Sequence, residues 1–221
     1  MNKKQVTIIF DFDNTLVKSN INFPAMKIHM ARAIKEYGLD FGAEEEIPLR
    51  YTAGNIIDEA AKYDEENKTS LTNLLWEIVE NFEREGMKNL SIDEDVFMML
   101  RELKEQGIQM AILTNNSREP TMEVLDRYSI GDYFDLVIAR EDVMKMKPDK
   151  EGIETIIKKL SWDHESVIFI GDSWVDGVAA KNANVRFILF RKEKLNPGKY
   201  DIRIWKHLTK MKDLISVIIP S

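Results

Sequence analysis

Short apolar runs, separated along much of the chain by segments with helical spacing, constrain the fold more than any other feature of the sequence. The runs are rich in β-branched and aromatic residues and occupy positions 6–10, 110–113, 134–139, 167–170 and 185–190. Runs of this length and composition are typical of buried strands. Because strands that alternate with helices form parallel sheets, the pattern predicts an α/β domain built around a parallel sheet.

Several helix boundaries can also be predicted from the sequence. Ser91-Ile92-Asp93-Glu94 has the form of a capping box, and Gly107 follows the apolar stripe as a stop signal. The stripe that this helix would bury consists of Ile92, Val96, Met99, Leu100 and Leu103. Further helices are predicted after Pro120, Pro148 and Ser173, and a last one from about Trp205 to Ile215.

The segment 18–89 has a different character from the rest of the chain. It contains no convincing strand but three helical patterns, which begin near Met26, Ile56 and Leu71, and the third pattern ends at Gly86. We therefore expect a core domain of residues 1–17 and 90–221, interrupted by an all-helical insert of residues 18–89 that forms a separate cap domain. Lys27, His29, Arg32 and Arg50 are the side chains of this insert that we consider for substrate contact.

In open α/β sheets, ligands bind at the carboxyl ends of the strands. In this sequence, polar residues occupy the segments next to the predicted strand ends. Taken singly, each has an ordinary structural interpretation as a turn, a helix N-cap or a solvated lysine. Together they predict a single site at one edge of the sheet. The candidate residues are Asp11, Asp13, Thr114, Asn115, Lys147, Asp172 and Asp176.

The residue types at this edge indicate a particular chemistry. Clustered carboxylates repel each other and need a cation, and carboxylate oxygens suit Mg²⁺, which also shares substrate phosphates. Asp11, Asp172 and Asp176 are the expected oxygen ligands. The Thr114 hydroxyl and the amides of the following helix start would bind phosphate oxygens, and Lys147 would contribute a positive charge.

Composition excludes several functional classes. The chain has 221 residues, 44% hydrophobic and 31% charged, which is typical of a globular protein. Its net charge of -7 does not favour nucleic acids or anionic membranes, and the absence of cysteine excludes thiolate catalysis and cysteine-ligated zinc. No apolar run approaches a membrane span or a signal-peptide core, so we expect a cytoplasmic protein, either a monomer or a homodimer.

Four motifs of the chain resemble those of the haloacid dehalogenase superfamily, in the same order. They read DFDNTL, ILTNNS, KMKPDK and IGDSWVDG, and the resemblance spans residues 7 to 176. The chain is most similar to the phosphoglycolate phosphatase-like branch, in which a helical cap follows the first motif. The resemblance implies a Rossmann-like parallel sheet core, a Mg²⁺ cofactor and a small phosphorylated metabolite as substrate. The lysine motif departs slightly from many relatives, which have a second proline where this chain reads KPDK.

The resemblance also implies a role for each candidate residue. Asp11 would be the nucleophile that forms an aspartyl-phosphate, and Asp13 would protonate the leaving group and later activate water. The Asp11 side chain, the Asp13 backbone carbonyl and Asp172 would hold Mg²⁺, with Asp176 as a ligand directly or through water. The substrate phosphoryl group would contact Thr114, Asn115 and Lys147.

Three other functions use the same scaffold. A phosphomutase or other phosphotransferase of the superfamily carries the same motifs and passes the phosphoryl group to an acceptor such as a hydroxyl rather than to water. A non-catalytic binding module would need no turnover, but every residue that the chemistry requires is present. A dehalogenase is disfavoured because it lacks a carboxylate at the position of Asp13. The sequence thus favours a phosphatase.

Overall fold

The structure is a computed structural model that describes residues 6–191 and 195–219. The chain divides into two compact units, one of which is Asn20–Asn89 and the other the residues up to Ser19 and from Leu90 onward. We call them the helical insert and the core unit. Residues 1–5, 192–194 and 220–221 belong to the predicted core domain but lie outside the described residues.

The helical insert contains the three predicted helices and one short helix that the sequence did not suggest. Their bounds are α1 Phe23–Lys35, α2 Ile47–Arg50, α3 Ala53–Asn67 and α4 Leu71–Lys88. The apolar stripes meet in one core, to which α1 contributes Met30 and Ile34, α3 contributes Ile56, and α4 contributes Leu75. The insert therefore buries its helical faces against one another.

A carboxylate from α3 caps the start of α4. Ser70 stands at the N-cap position but makes no side-chain cap bond. Instead, Asp64 accepts hydrogen bonds from the amides of Leu71 at 2.7 Å and Thr72 at 2.9 Å. The hydroxyls of Thr69 and Thr72 donate to the same carboxylate. This side chain thus joins α3 to α4 and satisfies helix-end amides that would otherwise lack partners.

Gly86 lies inside α4 and does not end it, so the prediction that the helix stops there is wrong. The glycine instead allows the backbone near Ile21 to approach α4 closely. A Cβ atom at this position would lie 2.6 Å from Ile21 Cα, and the Asn20 amide donates to the Gly86 carbonyl oxygen at 3.0 Å. The glycine lets the start of the insert pass directly against the last turns of α4.

The core unit is built on a six-stranded sheet in the order β3-β2-β1-β4-β5-β6, and every pair of neighbouring strands is parallel. This confirms the predicted α/β fold class. The strands are β1 Thr7–Phe10, β2 Gln109–Leu113, β3 Leu136–Ile138, β4 Val167–Gly171, β5 Arg186–Phe190 and β6 Ile204–Leu208. All four residues of β1 are buried, as expected for a central strand covered on both faces.

The sheet register brings the predicted motifs to one edge. Phe10 lies opposite Ile112 on one side and Ile170 on the other, so the three strands end at nearly the same level. The chain passes from β1 to β2 on one side and later to β4 on the other, which makes the carboxyl end of β1 a topological switch point. Such a point is where open α/β sheets bind ligands.

Six helices belong to the core unit in its described residues. They are α5 Glu94–Glu105, α6 Arg118–Arg127, α7 Glu151–Leu160, α8 Trp174–Asn182, α9 Pro197–Tyr200 and α10 Asp213–Ile218. The helices predicted after Pro148 and Ser173 are present, and the helix predicted after Pro120 begins two residues before it, at Arg118. Helix α5 buries Val96, Met99, Leu100 and Leu103 as expected, whereas Ile92 lies before its first residue. Among the described residues, no helix is both long and apolar enough to cross a membrane.

Two predictions about this unit are wrong. Asp93, not Ser91, is the N-cap residue of α5, because the Ser91 backbone instead pairs with that of Lys18 in an antiparallel bridge. The predicted terminal helix from Trp205 to Ile215 is split into β6 and α10. Residues 204–208 are a strand because β5 offers them a parallel partner, which local helical spacing does not reveal.

We expect Gly86→Ala to destabilise the protein, although alanine is favoured over glycine by about 1 kcal/mol inside a helix. The added Cβ would collide with Ile21 backbone atoms, and overpacking of this kind costs about 1–3 kcal/mol. Urea unfolding followed by circular dichroism measures the change. Gly131→Ala is the control, since its Cβ would meet nothing closer than 3.9 Å. Equal effects of the two substitutions would contradict the steric explanation.

Asp64 should make the stability of the insert depend on pH. Burial alone would raise the pKa of Asp64, but the bonds from Thr69, Thr72 and Leu71 outweigh it and lower the pKa from 3.8 to about 2. Because the folded-state pKa is depressed, the stabilisation is complete above pH 3.8 and is lost as the pH falls toward 2. The difference in urea midpoint between wild type and Asp64→Ala should therefore shrink between pH 5 and pH 3. Asp58→Ala, exposed on the same helix, should show no comparable trend.

Candidate active site

The chain turns sharply after β1 and places two carboxylates in the interior. The Asn14 amide donates to the Val17 carbonyl oxygen at 2.7 Å, and Asn14 adopts a left-handed backbone conformation that asparagine tolerates well. Asp11 and Asp13 are both buried at this turn. The Thr15 hydroxyl donates to Asp11 Oδ2 at 2.9 Å and so fixes one oxygen of that carboxylate.

Lys147 is the centre of the buried charge cluster. Its Nζ lies 2.6 Å from Asp11 Oδ1 and 2.7 Å from Asp176 Oδ1, and it also donates to the Leu113 carbonyl oxygen at 3.1 Å. These three acceptors match the three protons of an ammonium group. The lysine that the sequence singled out is therefore fully bonded and 7% exposed, rather than solvated at the surface.

Asp172 and Asp176 follow β4 and complete the acidic cluster. Oxygens of Asp11, Asp172 and Asp176 all lie within 4.8 Å of one another. Asp176 Oδ2 accepts from the Ser173 amide at 3.1 Å and from the Ser173 hydroxyl at 2.6 Å. Gly171 makes this packing possible, since a Cβ there would lie 2.5 Å from the Cβ of Asp176. Asp176 thus uses both oxygens within the protein.

The cluster contains more negative charge than Lys147 can neutralise. Burial raises the pKa of Asp11 to about 7, against the attraction of Lys147 and with a further increase from Asp176. Burial and repulsion from Asp11 and Asp176 raise the pKa of Asp172 to about 8. Burial alone would lower the pKa of Lys147, but Asp11 and Asp176 raise it above its usual value. A further cation would favour the ionised carboxylates.

Asp13 lies in a different environment from Asp11. Burial raises the pKa of the Asp13 carboxyl, while the nearby Ser19 hydroxyl and the Asn116 amide oppose the rise. Asp13 Oδ2 accepts a hydrogen bond from Asn116 Nδ2. Asp13 Oδ1 and Ser19 Oγ are buried without a hydrogen-bond partner among the described residues, so Ser19 lies near the carboxyl without completing a bond to it.

Thr114 and Asn115 follow β2, as predicted, but their side chains have different surroundings. The Thr114 hydroxyl is buried and accepts from the Asn116 amide at 3.1 Å. The Asn115 side chain forms two bonds with the Lys147 backbone, donating to its carbonyl oxygen at 2.9 Å and accepting from its amide at 3.0 Å. Asn115 therefore anchors the segment that carries Lys147, a contact that the sequence did not suggest.

The start of α6 is not open for a phosphate group in the way that the sequence suggested. The Arg118 amide, the first of this helix, donates to Glu141 Oε2 at 2.9 Å, and the Ser117 hydroxyl donates to Glu141 Oε1 at 3.1 Å. A carboxylate from the chain itself thus occupies this helix end. The expectation that amides of the helix start bind substrate is wrong for Arg118.

Comparison with known families gives a direct assignment. Residues 8–190 match the model of the family described as haloacid dehalogenase-like hydrolase. The chain belongs to this family. The resemblance seen in the four motifs is confirmed, and the protein is a hydrolase of the haloacid dehalogenase superfamily.

Individual relatives agree with this assignment. Pyrophosphatase PpaX of Bacillus velezensis is 30% identical over 194 residues, which cover 84% of this chain and 83% of the relative. A hydrolase from Pseudomonas syringae has a TM-score of 0.71 at 17% identity, covering 96% of this chain and 97% of its own. A predicted phosphoglycolate phosphatase from Haemophilus somnus has a TM-score of 0.67 at 19% identity, covering 98% and 99%. At these identities the two structures support the haloacid dehalogenase fold alone.

Three residues beside the motif carboxylates were not assigned a role from the sequence. They are Thr15, which binds Asp11, Asn116, which binds Asp13, and Ser173, which binds Asp176. All three lie within the motifs quoted above, so their positions were visible. Their partners were not, because each bond depends on how the chain folds back on itself.

The basic side chains of the helical insert make contacts within the insert. Lys27 donates to the carbonyl oxygens of Pro48 and Tyr51, at 3.0 and 3.1 Å. Arg32 pairs with Glu44, and Arg50 lies 3.1 Å from Glu46. The His29 ring packs edge-on against Phe82. These contacts give each of the four side chains a structural role inside the insert.

We expect Lys147→Met to destabilise the core unit by about 3–5 kcal/mol, because it leaves two buried carboxylates without their cation. Adding Asp11→Asn to this variant should recover part of the loss, since one carboxylate is then neutral. Urea unfolding at pH 8 in EDTA measures both effects. Lys150→Met is the matched control, because its exposed pair with Glu154 should contribute no more than about 1 kcal/mol. No recovery in the double variant would contradict the charge explanation.

Proposed function

We propose that the protein is a Mg²⁺-dependent phosphatase that hydrolyses a small phosphorylated metabolite through a phosphoryl group carried on Asp11. The observation that supports this most directly is the buried arrangement at the switch point of the sheet. Asp11 is held by Lys147 and Thr15 within reach of Asp172 and Asp176, and Asp13 follows two residues later. A carboxylate fixed in this way is a suitable nucleophile toward phosphorus.

The donor set fits Mg²⁺ on chemical grounds. All the side-chain donors of the cluster are carboxylate oxygens, which hard divalent cations prefer. Burial, with repulsion from neighbouring carboxylates, raises the pKa values of Asp11 and Asp172, and a bound cation would favour their ionised forms. Asp11, Asp172 and the Asp13 backbone carbonyl would hold the ion, with Asp176 beside them. When bound, Mg²⁺ would polarise the phosphoryl group and neutralise its charge.

The residues of the chain would then divide the reaction between them. An Asp11 oxygen attacks phosphorus, the bond from phosphorus to the leaving oxygen breaks, and Asp13 gives that oxygen a proton. In the second step Asp13 takes a proton from water, whose oxygen bonds to phosphorus while the bond to Asp11 breaks. Inorganic phosphate leaves and Asp11 is regenerated. Lys147 and Thr114 stabilise the charge on the transferred group in both steps.

The names of the relatives suggest which substrates to examine first. One named relative is a pyrophosphatase and another is a predicted phosphoglycolate phosphatase. Inorganic pyrophosphate and small phosphorylated acids are therefore the first compounds for a phosphate-release screen. We further propose that the helical insert acts as a cap whose residues discriminate among leaving groups. Sustained phosphate release would distinguish the hydrolase from a phosphomutase, which returns the phosphoryl group to a hydroxyl.

Asp11→Asn should lower turnover by several orders of magnitude on every substrate found, because an amide cannot form the phosphoenzyme. The variant should remain folded, since one of several mutually repelling carboxylates loses its charge. Phosphate release with Mg²⁺ or EDTA measures activity, and circular dichroism checks the fold. Asp58→Asn, on the exposed face of α3, is the control that should keep wild-type rates. Retention of a tenth of the activity by Asp11→Asn would show that the covalent mechanism is wrong.

A further inference from the structure

Asn116 is a buried amide beside the proposed acid-base residue. It is 4% exposed, and its Nδ2 donates to Asp13 Oδ2. Its backbone is held on both sides, because its amide donates to the Thr114 hydroxyl at 3.1 Å and its carbonyl oxygen accepts from the Arg140 amide at 3.0 Å. The side chain therefore extends from a fixed backbone toward one oxygen of the Asp13 carboxyl.

The two oxygens of Asp13 differ in consequence. Oδ2 has the Asn116 amide as a donor, whereas Oδ1 is buried with no hydrogen-bond partner among the described residues. A primary amide N–H can only donate, and of the two oxygens of a protonated carboxyl it bonds more strongly to the one that carries no proton. The Asn116 donor on Oδ2 therefore favours Oδ1 as the oxygen that holds the proton. A buried polar atom without a partner is costly and is often explained by a functional role.

We propose that Asn116 is a positioning residue that holds Asp13 by Oδ2 and thereby assigns proton transfer to Oδ1. This inference rests on the proposed phosphatase function, in which Asp13 protonates the leaving oxygen and then deprotonates water. Asn116 contacts neither the phosphoryl group nor the leaving group in this scheme. It acts through Asp13 by fixing the orientation of the carboxyl.

If Asn116 positions Asp13, the rate loss in an Asn116 variant should depend on the leaving group. If Asn116 only stabilises the fold, the rate loss should be the same for every leaving group. An alkoxide needs a proton in the transition state, whereas a nitrophenolate leaves without one. Loss of the Asn116 amide should therefore slow phosphoryl transfer from alkyl esters much more than from p-nitrophenyl phosphate. Hydrolysis of the phosphoenzyme should slow for both, because that step needs Asp13 as a base in either case.

The test compares Asn116→Leu, which is similar in volume but lacks the donor, with wild type in the full chain and with Mg²⁺ present. On an alkyl phosphate, kcat should fall about 10–100-fold, at or below the lower end of the roughly 100–10,000-fold that general acid-base catalysis contributes, because Asp13 itself is still present, while KM changes little. On p-nitrophenyl phosphate, the first turnover should change less than about threefold, and a burst of nitrophenol near one equivalent should precede a slow phase. Asn116→Ala removes the same donor, carries the same expectation and serves if the leucine variant does not fold.

Two controls separate this inference from simple destabilisation. Thr121→Val removes a buried hydroxyl that donates to the Ser117 carbonyl oxygen at 2.8 Å, close by on α6 but without contact to Asp13. It should lower stability without changing the preference between the two esters. In the Asp13→Asn background, Asn116→Leu should cause no further loss of kcat, because residues that act through one another are not additive.

The outcomes distinguish this inference from the function on which it rests. If wild type forms no phosphoenzyme and releases no phosphate from any substrate, the proposed function fails and this inference fails with it. If wild type turns over but Asn116→Leu slows the first turnover of both esters equally and gives no nitrophenol burst, as a destabilised variant would, only the role of Asn116 is overturned. Additive losses in the double variant would overturn it as well.

Discussion

The site depends on the ion pairs that the ammonium group of Lys147 forms with Asp11 and Asp176. Parallel strands that end at one level bring several carboxylates together, and burial raises the pKa values of Asp11 and Asp172. Lys147 offsets this by bonding Asp11, Asp176 and the end of β2 at once. The backbone of Lys147 is itself held by two hydrogen bonds with the Asn115 side chain. The geometry of Asp11, the proposed nucleophile, therefore depends on a residue 136 positions further along the chain.

The carboxylates around Lys147 are held in different ways. Both oxygens of Asp176 accept hydrogen bonds, one from Lys147 and the other from Ser173, which suits a supporting role. Asp11 is bonded through one oxygen to the Lys147 ammonium group and through the other to the Thr15 hydroxyl. Asp13 is held by one oxygen only. In the mechanism that we propose, these different neighbours suit similar side chains at one sheet edge to the separate tasks of support, nucleophilic attack and proton transfer.

The helical insert is stabilised by its own contacts. Its apolar stripes meet in one core, and Asp64 links α3 to the start of α4. Its basic side chains bond to carbonyl oxygens and carboxylates of the same unit. This independence explains why the insert could be recognised in the sequence as a separate helical segment. It also explains why the identity of the substrate does not follow from its charged residues.

The sequence by itself determined the parallel α/β core, the helical character of the segment predicted at residues 18–89 and the set of acidic residues at the strand ends. These follow from local spacing and from the rule that ligands bind at the carboxyl ends of parallel strands. Only the tertiary structure decided that residues 204–208 form a strand, that Glu141 occupies the start of α6, and that Asn116 bonds Asp13. Each depends on a partner distant in the sequence, 103 residues away for Asp13 and Asn116, and local pattern carries no information about such a partner.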